Sequence, residues 1–367
     1  MHVLGRDDAA TGPAVCLGTY RAADGSDGAD VGFDLSRPHA ALVVGKRGYG
    51  KSHTLGVVAE GATRADGIAP VVVDPMGEFA GLGDDPSVRV VDAPAVATTT
   101  LPPAAWPALF DLSPTDPVGA LLWEVARESP SLDAMTARVD DASVDDGVRR
   151  AARNHLRLAD SWGVFDPAGL DASRLLSAEA TVLDCSGLAD RAASALVRAV
   201  AAGLYDACVD SRPSRLPWLL LDEAHVFFDG VAAPALETVL TRGRSPGVSL
   251  VAATQRPGAL PSVAVSQSDC LLAHRLTAES DLDALARATP TYLTGQLRDR
   301  LPADPGGAVI VDDVTESVHG VQVRDRETSH GGADPRVGDG GQSSSIDAPQ
   351  SGHSPSTTGT GVAHSEQ

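Results

Sequence analysis

The clearest structural signal in this 367-residue chain is the sequence Gly45-Lys46-Arg47-Gly48-Tyr49-Gly50-Lys51-Ser52. It fits the pattern Gly-x-x-x-x-Gly-Lys-Ser, in which glycines let backbone N–H groups turn inward around phosphates. The lysine of such a loop reaches the β- and γ-phosphates, and the hydroxyl group ligates Mg²⁺. Only two of the 29 basic residues are lysines, and both lie in this stretch, so a chance match is improbable. The sequence therefore predicts a nucleotide-binding loop.

The residues on either side of this loop predict a strand and a helix. Ala40–Val44 is a short apolar run, and a helix is expected from His53 to Ala65 with its N-terminus directed at the phosphates. We expect Lys51 to be the cation of the site and Ser52 to be a ligand of Mg²⁺. The residues predicted to bind the nucleotide are Gly45, Lys46, Arg47, Gly48, Tyr49, Gly50, Lys51, Ser52 and His53.

The formal net charge of the chain is −20, because 49 acidic residues face 29 basic ones. An acidic surface with almost no lysine is expected of a halophilic protein, kept soluble in a very salty cytoplasm by hydrated carboxylates and mutual repulsion. Intrinsic disorder is the rival explanation, but 43% apolar residues in well-formed runs argue against it. The charge therefore indicates an environment and does not exclude nucleic acid as a partner.

Cysteine spacing and apolar runs indicate the compartment. The four cysteines are widely spaced and fit no metal-ligand pattern, so buried free thiols are expected. No charged-then-apolar leader opens the chain, and no apolar run approaches the ~20 residues that span a bilayer. We therefore expect a cytoplasmic protein that does not enter a membrane.

Apolar strands alternate with helices along most of the chain, which is typical of an α/β fold with a mainly parallel sheet flanked by helices. Beyond the loop, strands are predicted at 70–74, 180–184, 218–223, 248–254, 270–274 and 308–311. Helices are predicted at about 191–209, 233–241 and 280–288. Between about Asp84 and Ser177 the pattern becomes mostly helical, with helices near 117–128, 132–139 and 146–162, and we interpret this part as an insertion.

This pattern divides the chain into three parts. Residues 1–37 form a short N-terminal segment with one or two strands, at 14–20 and 31–35. Residues 38–326 form the nucleotide-binding domain with its insertion. Residues 327–367 have almost no large apolar side chain, so we expect a disordered tail that cannot offset the entropy of ordering.

Two carboxylates follow the apolar run Trp218–Leu221, at the edge where α/β sheets place ligands. Asp222 is suited to hold the hydration shell of Mg²⁺, and Glu223 to orient and deprotonate a water aimed at the γ-phosphate. Gln255 ends the next buried strand, where its amide can contact both that water and the γ-phosphate. Such residues are also common in solvated loops, but the phosphate loop upstream favours the catalytic interpretation.

Two arginines, Arg242 and Arg244, lie on the glycine-rich connection before this last strand. Exposed arginines are by default solvated. The alternative is an arginine finger that stabilises transition-state charge in a neighbouring subunit. The residues alone leave both interpretations open.

Together these motifs resemble the HerA–FtsK superfamily of hexameric, DNA-pumping ATPases, and its HerA branch most of all. The likeness lies in Gly-Lys-Arg-Gly-Tyr-Gly-Lys-Ser-His-Thr (45–54), Val-Asp-Pro-Met-Gly-Glu (73–78), Leu-Leu-Asp-Glu-Ala-His (220–225) and Gly-Val-Ser-Leu-Val-Ala-Ala-Thr-Gln-Arg-Pro (247–257). Residues 267–276 and Asp281 extend it, so that it covers most of 38–326.

The resemblance implies a P-loop fold of the RecA/FtsK kind, ATP hydrolysis with Mg²⁺, a homohexameric ring, double-stranded DNA as the substrate, and a nuclease as a further partner. It assigns Lys51, Ser52, Asp222, Glu223 and Gln255 the roles argued above. It also favours Arg244 over Arg242 as the arginine that acts in a neighbouring subunit.

Two features depart from that family. The 1–37 segment is too short for the β-barrel that opens HerA-type proteins, so we expect the barrel to be lacking. No loop rich in lysine and arginine is present for DNA in a pore. The best basic cluster has helical spacing in the insertion, but a solvated helix face paired with aspartates explains it equally well. Its members are Arg149, Arg150, Arg153 and Arg157.

Two functions fit these observations. The first is an ATP-driven motor on double-stranded DNA, and the second is a nucleotide-gated assembly or scaffold ATPase without translocation. The expected lack of the barrel and the acidic surface favour the scaffold, whereas the intact Asp222, Glu223, Gln255 and Arg244 favour the motor. A GTPase is disfavoured, because guanine readout typically uses Asn-Lys-x-Asp and no lysine remains outside the loop. Stimulation of ATP turnover by DNA distinguishes the motor from the scaffold ATPase.

Overall fold

The computed structural model describes residues 1–7, 9–22, 25–287 and 297–331. The strands of this part of the chain are β1 (His2–Leu4), β2 (Ala14–Arg21), β3 (Asp27–Asp34), β4 (Ala40–Val44), β5 (Ile68–Asp74), β6 (Val88–Val91), β7 (Ala180–Asp184), β8 (Leu216–Leu221), β9 (Ser249–Thr254), β10 (Cys270–Ala273), β11 (Gly307–Asp312) and β12 (Ser317–Val323). The α-helices are α1 (Lys51–Arg64), α2 (Ala105–Ala108), α3 (Pro117–Glu128), α4 (Leu132–Asp141), α5 (Asp146–Asp160), α6 (Ala172–Ser177), α7 (Asp190–Asp210), α8 (His225–Phe228), α9 (Ala233–Arg242), α10 (Ser262–Ser266) and α11 (Glu279–Arg287).

All these strands belong to one sheet, in the order β1-β3-β2-β12-β11-β10-β4-β9-β8-β5-β7-β6. The strands from β10 to β6 in this order are parallel to their neighbours. From β10 back to β3 the pairs are antiparallel, and β1 pairs with β3 in parallel. The predicted α/β class with a mainly parallel sheet is therefore confirmed.

The central strands are buried on both faces, because helices cover each side of the sheet. Successive side chains of β4 alternate between two cores. Ala41 and Val43 pack in the core that contains α1, and Leu42 and Val44 pack in the core that contains α7 and the insertion helices. This double covering explains why β4, β5, β8 and β9 have continuous apolar sequences rather than alternating ones.

The insertion is mostly helical, as predicted, but it begins with a strand. Helices α2 to α6 lie in this part of the chain, and α3 has the predicted bounds. β6 precedes them, pairs with β7 and forms the edge of the sheet. Its residues are only partly buried, so the four-residue strand lacks the continuous apolar pattern that revealed the central strands. Ser131, Asp145 and Asp171 cap α4, α5 and α6 by accepting hydrogen bonds from backbone N–H groups.

The N-terminal residues join the same sheet through β12, a strand that the sequence pattern did not reveal. β12 pairs with β11 on one side and with β2 on the other, and β3 and β1 follow. Much of β12 is half-exposed, which weakens its apolar signal. Residues Met1–Gly332 therefore form one compact unit, in which the segment 1–37 extends the sheet of the nucleotide-binding domain.

Helix α7 is long and apolar enough to cross a membrane by length and composition alone, which the sequence pattern had not indicated. Of its most apolar window, 61% is buried inside the protein, as expected for a core helix. The cysteines are free, as predicted, and three of them, Cys185, Cys208 and Cys270, are buried.

The chain after β12 continues as an ordered strap, residues Arg324–Gly331, which packs on α1. The buried Glu60 carboxylate accepts hydrogen bonds from the backbone N–H groups of Glu327 and Thr328, both at 2.9 Å, and from the Thr328 hydroxyl at 2.7 Å. The predicted tail was placed from 327 onward, so its first five residues are instead part of the folded unit. The remainder, 332–367, lies outside the described residues.

Candidate nucleotide-binding site

The phosphate loop connects the carboxyl end of β4 to the first residue of α1. Gly48 and Gly50 have left-handed backbone conformations, with φ of 78° and 110°, which glycine adopts without a steric penalty. Lys51 is only 5% exposed, and its Nζ donates to the carbonyl oxygen of Lys46 at 3.4 Å. The lysine therefore lies folded back within the loop.

Three carboxylates create the electrostatic environment of Lys51. Burial lowers the pKa of the Lys51 ammonium, and the negative charges of Glu223, Asp222 and Glu78 oppose that shift. The acids follow β8 and β5, which are neighbouring parallel strands, so their carboxyl ends meet at the same edge of the sheet. The structure thus brings together the loop lysine and both acids that the sequence predicted.

Asp222 has the features of a metal ligand. It is 1% exposed, its Oδ1 accepts from the Glu223 N–H at 2.9 Å, and its carboxylate also accepts a hydrogen bond from Ser52. Burial raises the pKa of the carboxyl to about 6, although those hydrogen bonds oppose the shift. Its buried Oδ2 has no hydrogen-bond partner among the described residues. Mg²⁺ prefers such hard oxygen donors, so Ser52 and Asp222 fit this ion.

Glu223 has the features of a general base. Its backbone is left-handed (φ 45°), a conformation that is uncommon for residues with a side chain and is found at active sites. Burial raises the pKa of its carboxyl, the Lys51 charge opposes that shift, and the backbone N–H of Gln255 donates to the carboxylate. Oε2 lies 3.3 Å from Nδ1 of His225. A carboxylate with a raised pKa is better suited to take a proton from water.

Gln255 directly follows β9, the strand between β4 and β8. It is half-buried, and its backbone N–H contacts the Glu223 carboxylate. Gln255 therefore lies at the same edge of the sheet as the phosphate loop and the two acids, as predicted. The preceding Thr254 hydroxyl is 3.2 Å from Nδ1 of His225, which links the ends of β8 and β9.

Sequence reasoning quoted the 73–78 motif but assigned none of its residues a role. Asp74 is buried, and its carboxylate accepts from the N–H groups of Met76, Glu78 and Phe79 at 2.8–3.2 Å. These bonds fold the loop after β5, and they place Glu78 near enough to raise the pKa of both Asp222 and Glu223. His225 was also missed. Asp74 and Glu78 lie in the 73–78 motif, and His225 lies in the 220–225 motif. The family likeness of these two motifs was the available signal for a role of these residues.

The other predicted loop residues lie around this centre. Lys46 Nζ is 4.4 Å from the centroid of the Tyr49 ring, and both side chains are half-buried. Arg47 is exposed at the mouth of the loop, and its charge opposes the raised pKa of Glu223. The His53 ring, in contrast, makes a 2.8 Å hydrogen bond with the Arg324 carbonyl of the strap. A role for the His53 side chain at the nucleotide therefore stays a prediction.

The two candidate finger arginines are far less constrained. Arg242 is the last residue of α9 and Arg244 follows on the connection to β9. Both are exposed, and within residues 1–7, 9–22, 25–287 and 297–331 Arg244 makes no hydrogen bond or ion pair. An unpaired arginine is available to act on a neighbouring molecule. Its action in a neighbouring subunit stays a prediction.

Aspartates pair with two of the four arginines in the predicted basic cluster of α5. Arg149 pairs with Asp146, at 2.5 Å, and Arg153 pairs with Asp140. Arg150 and Arg157 are exposed on the same helix, α5. This part of the insertion therefore resembles an acid-paired helix face more than a basic surface for DNA.

Comparisons with known proteins were made by sequence and by fold. No family model matches the sequence, and no curated protein sequence matches it. Among solved structures, VirB4 of Thermoanaerobacter pseudethanolicus has a TM-score of 0.64 at 17% identity, over 87% of this chain and 98% of that one. The bacterial conjugative coupling protein TrwBdeltaN70 has a TM-score of 0.60 at 15% identity, over 89% of this chain and 96% of that one.

A third structure is more distant. The genome packaging NTPase B204 from Sulfolobus turreted icosahedral virus 2, solved in complex with ATP-gammaS, has a TM-score of 0.42 at 12% identity, over 78% of this chain and 98% of that one. That score is too low to carry an argument. The first two structures extend over nearly the whole described chain, and at their identities they establish the fold. The chain therefore shares the fold of these two structures, with its phosphate loop between β4 and α1.

Proposed function

We propose that this protein is an ATP-hydrolysing motor that works as a homohexameric ring on double-stranded DNA in a salty cytoplasm. The observation that carries the proposal is the meeting of Lys51, Ser52, Asp222 and Glu223 at one edge of the sheet, with Gln255 beside them. Binding alone needs only the phosphate loop. The buried Glu223, with its raised pKa, is the feature that hydrolysis adds.

In this mechanism each residue has one task. Backbone N–H groups of the loop and Lys51 hold the phosphates, and Lys51 neutralises charge on the β- and γ-oxygens. Ser52 and Asp222 hold Mg²⁺, which when bound offsets the charge that develops on the transferred group. Glu223 accepts the proton of the attacking water at its carboxylate. Gln255 orients that water, because its backbone is fixed against Glu223.

Arg244 is exposed and has no hydrogen bond or ion pair in the part of the chain that the structure describes, which supports a ring. The subunit's own site contains Lys51 as the cation that faces Asp222 and Glu223, and a finger from a neighbour is worth ~10³–10⁵ in rate in related phosphoryl-transfer systems. The decisive test mixes Arg244→Ala with Glu223→Gln subunits, each inactive alone. Mixed rings contain interfaces with an intact Glu223 and an intact Arg244, so activity should return. No recovery despite proven subunit exchange would reject action across the interface.

The rival function is a nucleotide-gated assembly or scaffold ATPase that moves no DNA. It is favoured by the charge of −20 and by the pairing of Arg149 and Arg153 with aspartates, which leaves little basic surface for a duplex. The motif resemblance is the basis for proposing double-stranded DNA as the substrate, a hexamer and a nuclease partner.

ATP turnover in multimolar KCl, with and without duplex DNA, tests the proposal. A motor should hydrolyse ATP faster when DNA is added, because turnover is coupled to its track. Hydrolysis unaffected by DNA would support the scaffold, and no hydrolysis by the wild type would reject both. Glu223→Gln is the control for contaminating ATPases, since it should bind ATP and leave it intact.

A further inference from the structure

His274 lies directly beneath the phosphate loop and takes no part in the mechanism proposed above. It follows β10, is fully buried, and its N–H donates to the carbonyl of Val44, the last residue before the loop, at 2.8 Å. The Lys46 N–H in turn donates to the Arg275 carbonyl at 2.8 Å. The pairing of β4 with β10 therefore continues beyond both strands and into the loop itself.

The His274 ring bridges two elements that are distant in sequence. Its Nδ1 is 2.7 Å from the carbonyl oxygen of Gly307, and its Nε2 is 2.9 Å from the hydroxyl of Thr54. Burial lowers the pKa of His274 to about 4, so the ring is neutral near pH 7 and carries one proton. A carbonyl can only accept, so that proton is on Nδ1 and Nε2 accepts from the Thr54 hydroxyl. Thr54 lies in the first turn of α1, three residues after Lys51.

The loop also packs closely against this histidine. A Cβ added to Gly45 would lie 2.6 Å from the Cβ of His274, and one added to Gly50 would lie 3.4 Å from its Cε1. The first distance is shorter than real Cβ contacts, so a side chain at 45 would displace either the loop or the histidine. Gly45 and Gly50 are the first and last glycines of the phosphate loop, and the histidine therefore supports both of its ends.

We propose that His274 is a positioning residue that holds the phosphate loop in its phosphate-binding conformation, through its hydrogen bond to Thr54 and its packing on Gly45, and ties the loop to the start of β11. This inference rests on the proposed function in so far as the loop binds ATP. The histidine touches no phosphate and acts only through the loop.

The size of the effect follows from the population of loop conformations. If the bond to Thr54 is lost, a buried donor or acceptor is left without a partner, and open conformations of the loop become populated. The apparent Kd for ATP rises by the inverse of the competent fraction, about tenfold for a loss of this kind. Because saturating ATP draws the loop back into its binding conformation, KM should rise while kcat is unchanged.

Two variants remove the same hydrogen bond from opposite ends. Thr54→Val replaces the hydroxyl group with a methyl group, and His274→Asn keeps a donor for the Gly307 carbonyl but loses the acceptor for Thr54. Each should raise Kd and KM for ATP about tenfold, and the double variant should be no worse than either, because one bond is lost in all three. Thr54→Ser keeps the hydroxyl group and should return the affinity toward that of the wild type. His319→Asn, on β12, is the control histidine and should not change it.

A second measurement does not depend on ATP. In the nucleotide-free protein, hydrogen exchange at the amides of Lys46 and Thr54 should be faster in Thr54→Val than in Thr54→Ser. If the wild type failed to bind ATP, the proposed function would fall, while the exchange rates would still test the role of His274. Equal exchange in the two variants, or additive losses in the double variant, would overturn the inference.

Discussion

Deletion of residues 327–367 should destabilise the protein by about 3 kcal/mol, whereas deletion of residues 332–367 should leave its stability unchanged. The two deletions differ only by the last five residues of the strap. Those residues supply three hydrogen bonds to the Glu60 carboxylate, which is 2% exposed on α1. The longer deletion therefore leaves a buried charge with Arg324 as its remaining partner.

The magnitude follows from the chemistry of this carboxylate. Hydrogen bonds to charged groups contribute roughly 1.5–3 kcal/mol each, so three of them set an upper range of several kcal/mol. Water can enter where the strap had been, and the Arg324 ion pair at 2.8 Å remains, so we expect about half of that range. For a unit of this size, 3 kcal/mol corresponds to a fall in Tm of roughly 4 °C.

Thermal and urea unfolding in high KCl are the appropriate assays. Glu327→Ala is the matched control, because it removes the exposed ion pairs of Glu327 with Arg64 and Arg324 but keeps the Glu327 N–H that binds Glu60. It should cost at most about 0.5 kcal/mol, since exposed pairs contribute little. Equal stability of the two deletion proteins would refute the reasoning, because it would mean that the strap does not stabilise Glu60.

The effect should also depend on pH. Burial by itself would raise the pKa of Glu60, but hydrogen bonds from Thr328 and the Arg324 guanidinium outweigh it and hold the pKa below its ordinary value. A depressed carboxyl pKa contributes stability above the unfolded value, and that contribution is lost as the pH falls through the folded value. The difference between the two deletions should therefore be complete at neutral pH and shrink below about pH 4.

Three further changes test the site. Lys51→Ala should abolish ATP binding whereas Lys46→Ala should retain it, because Lys51 is buried beside Asp222 and Glu223 whereas Lys46 packs on the Tyr49 ring. Equal losses in a nucleotide titration would contradict this. Glu223→Gln should bind ATP and lose turnover by at least about 10²-fold, since the amide cannot accept the proton, and near wild-type rates in a phosphate-release assay would exclude Glu223 as the base. Asp222 should hold Mg²⁺ only when ionised, and its pKa of about 6 makes Mg²⁺-dependent ATP affinity fall as the pH drops below that value. If calorimetry gives the same Mg²⁺-dependent ATP affinity at pH 7 and at pH 5, Asp222 does not have that role.

The central fold could be predicted because each of its strands is buried on both faces. Ala40–Val44 and Ala180–Asp184 have the predicted bounds, since each is a continuous apolar run of the kind found in buried parallel strands. The sequence did not reveal β6 and β12, because both strands are partly exposed and therefore lack a continuous apolar run. Their sequences, Val-Arg-Val-Val and Ser-Val-His-Gly-Val-Gln-Val, do not differ clearly from loop sequence.

The candidate site was predictable to the extent that its residues lie in local motifs. Lys51, Asp222, Glu223 and Gln255 each directly follow a buried strand or loop whose sequence is distinctive. Glu60 and His274 could not be found in this way. Their partners, residues 327–328 in one case and Thr54 with Gly307 in the other, are more than 30 residues away in sequence, and only the folded sheet brings them together.

The acidity of the chain and the proposed DNA substrate are compatible if the ring encircles the duplex. Phosphate contacts weaken steeply with salt, by ~10³ or more over a fourfold rise for six or more contacts, so a basic surface would fail in a multimolar cytoplasm. The α5 cluster offers little such surface, since Arg149 and Arg153 are paired with aspartates. A closed ring does not need high affinity, because topology holds the duplex. The arginine that such a ring does need is one that faces a neighbouring subunit. Arg244 is exposed, precedes β9 and has no hydrogen bond or ion pair within the described residues, so it fits that need better than any arginine of the α5 cluster.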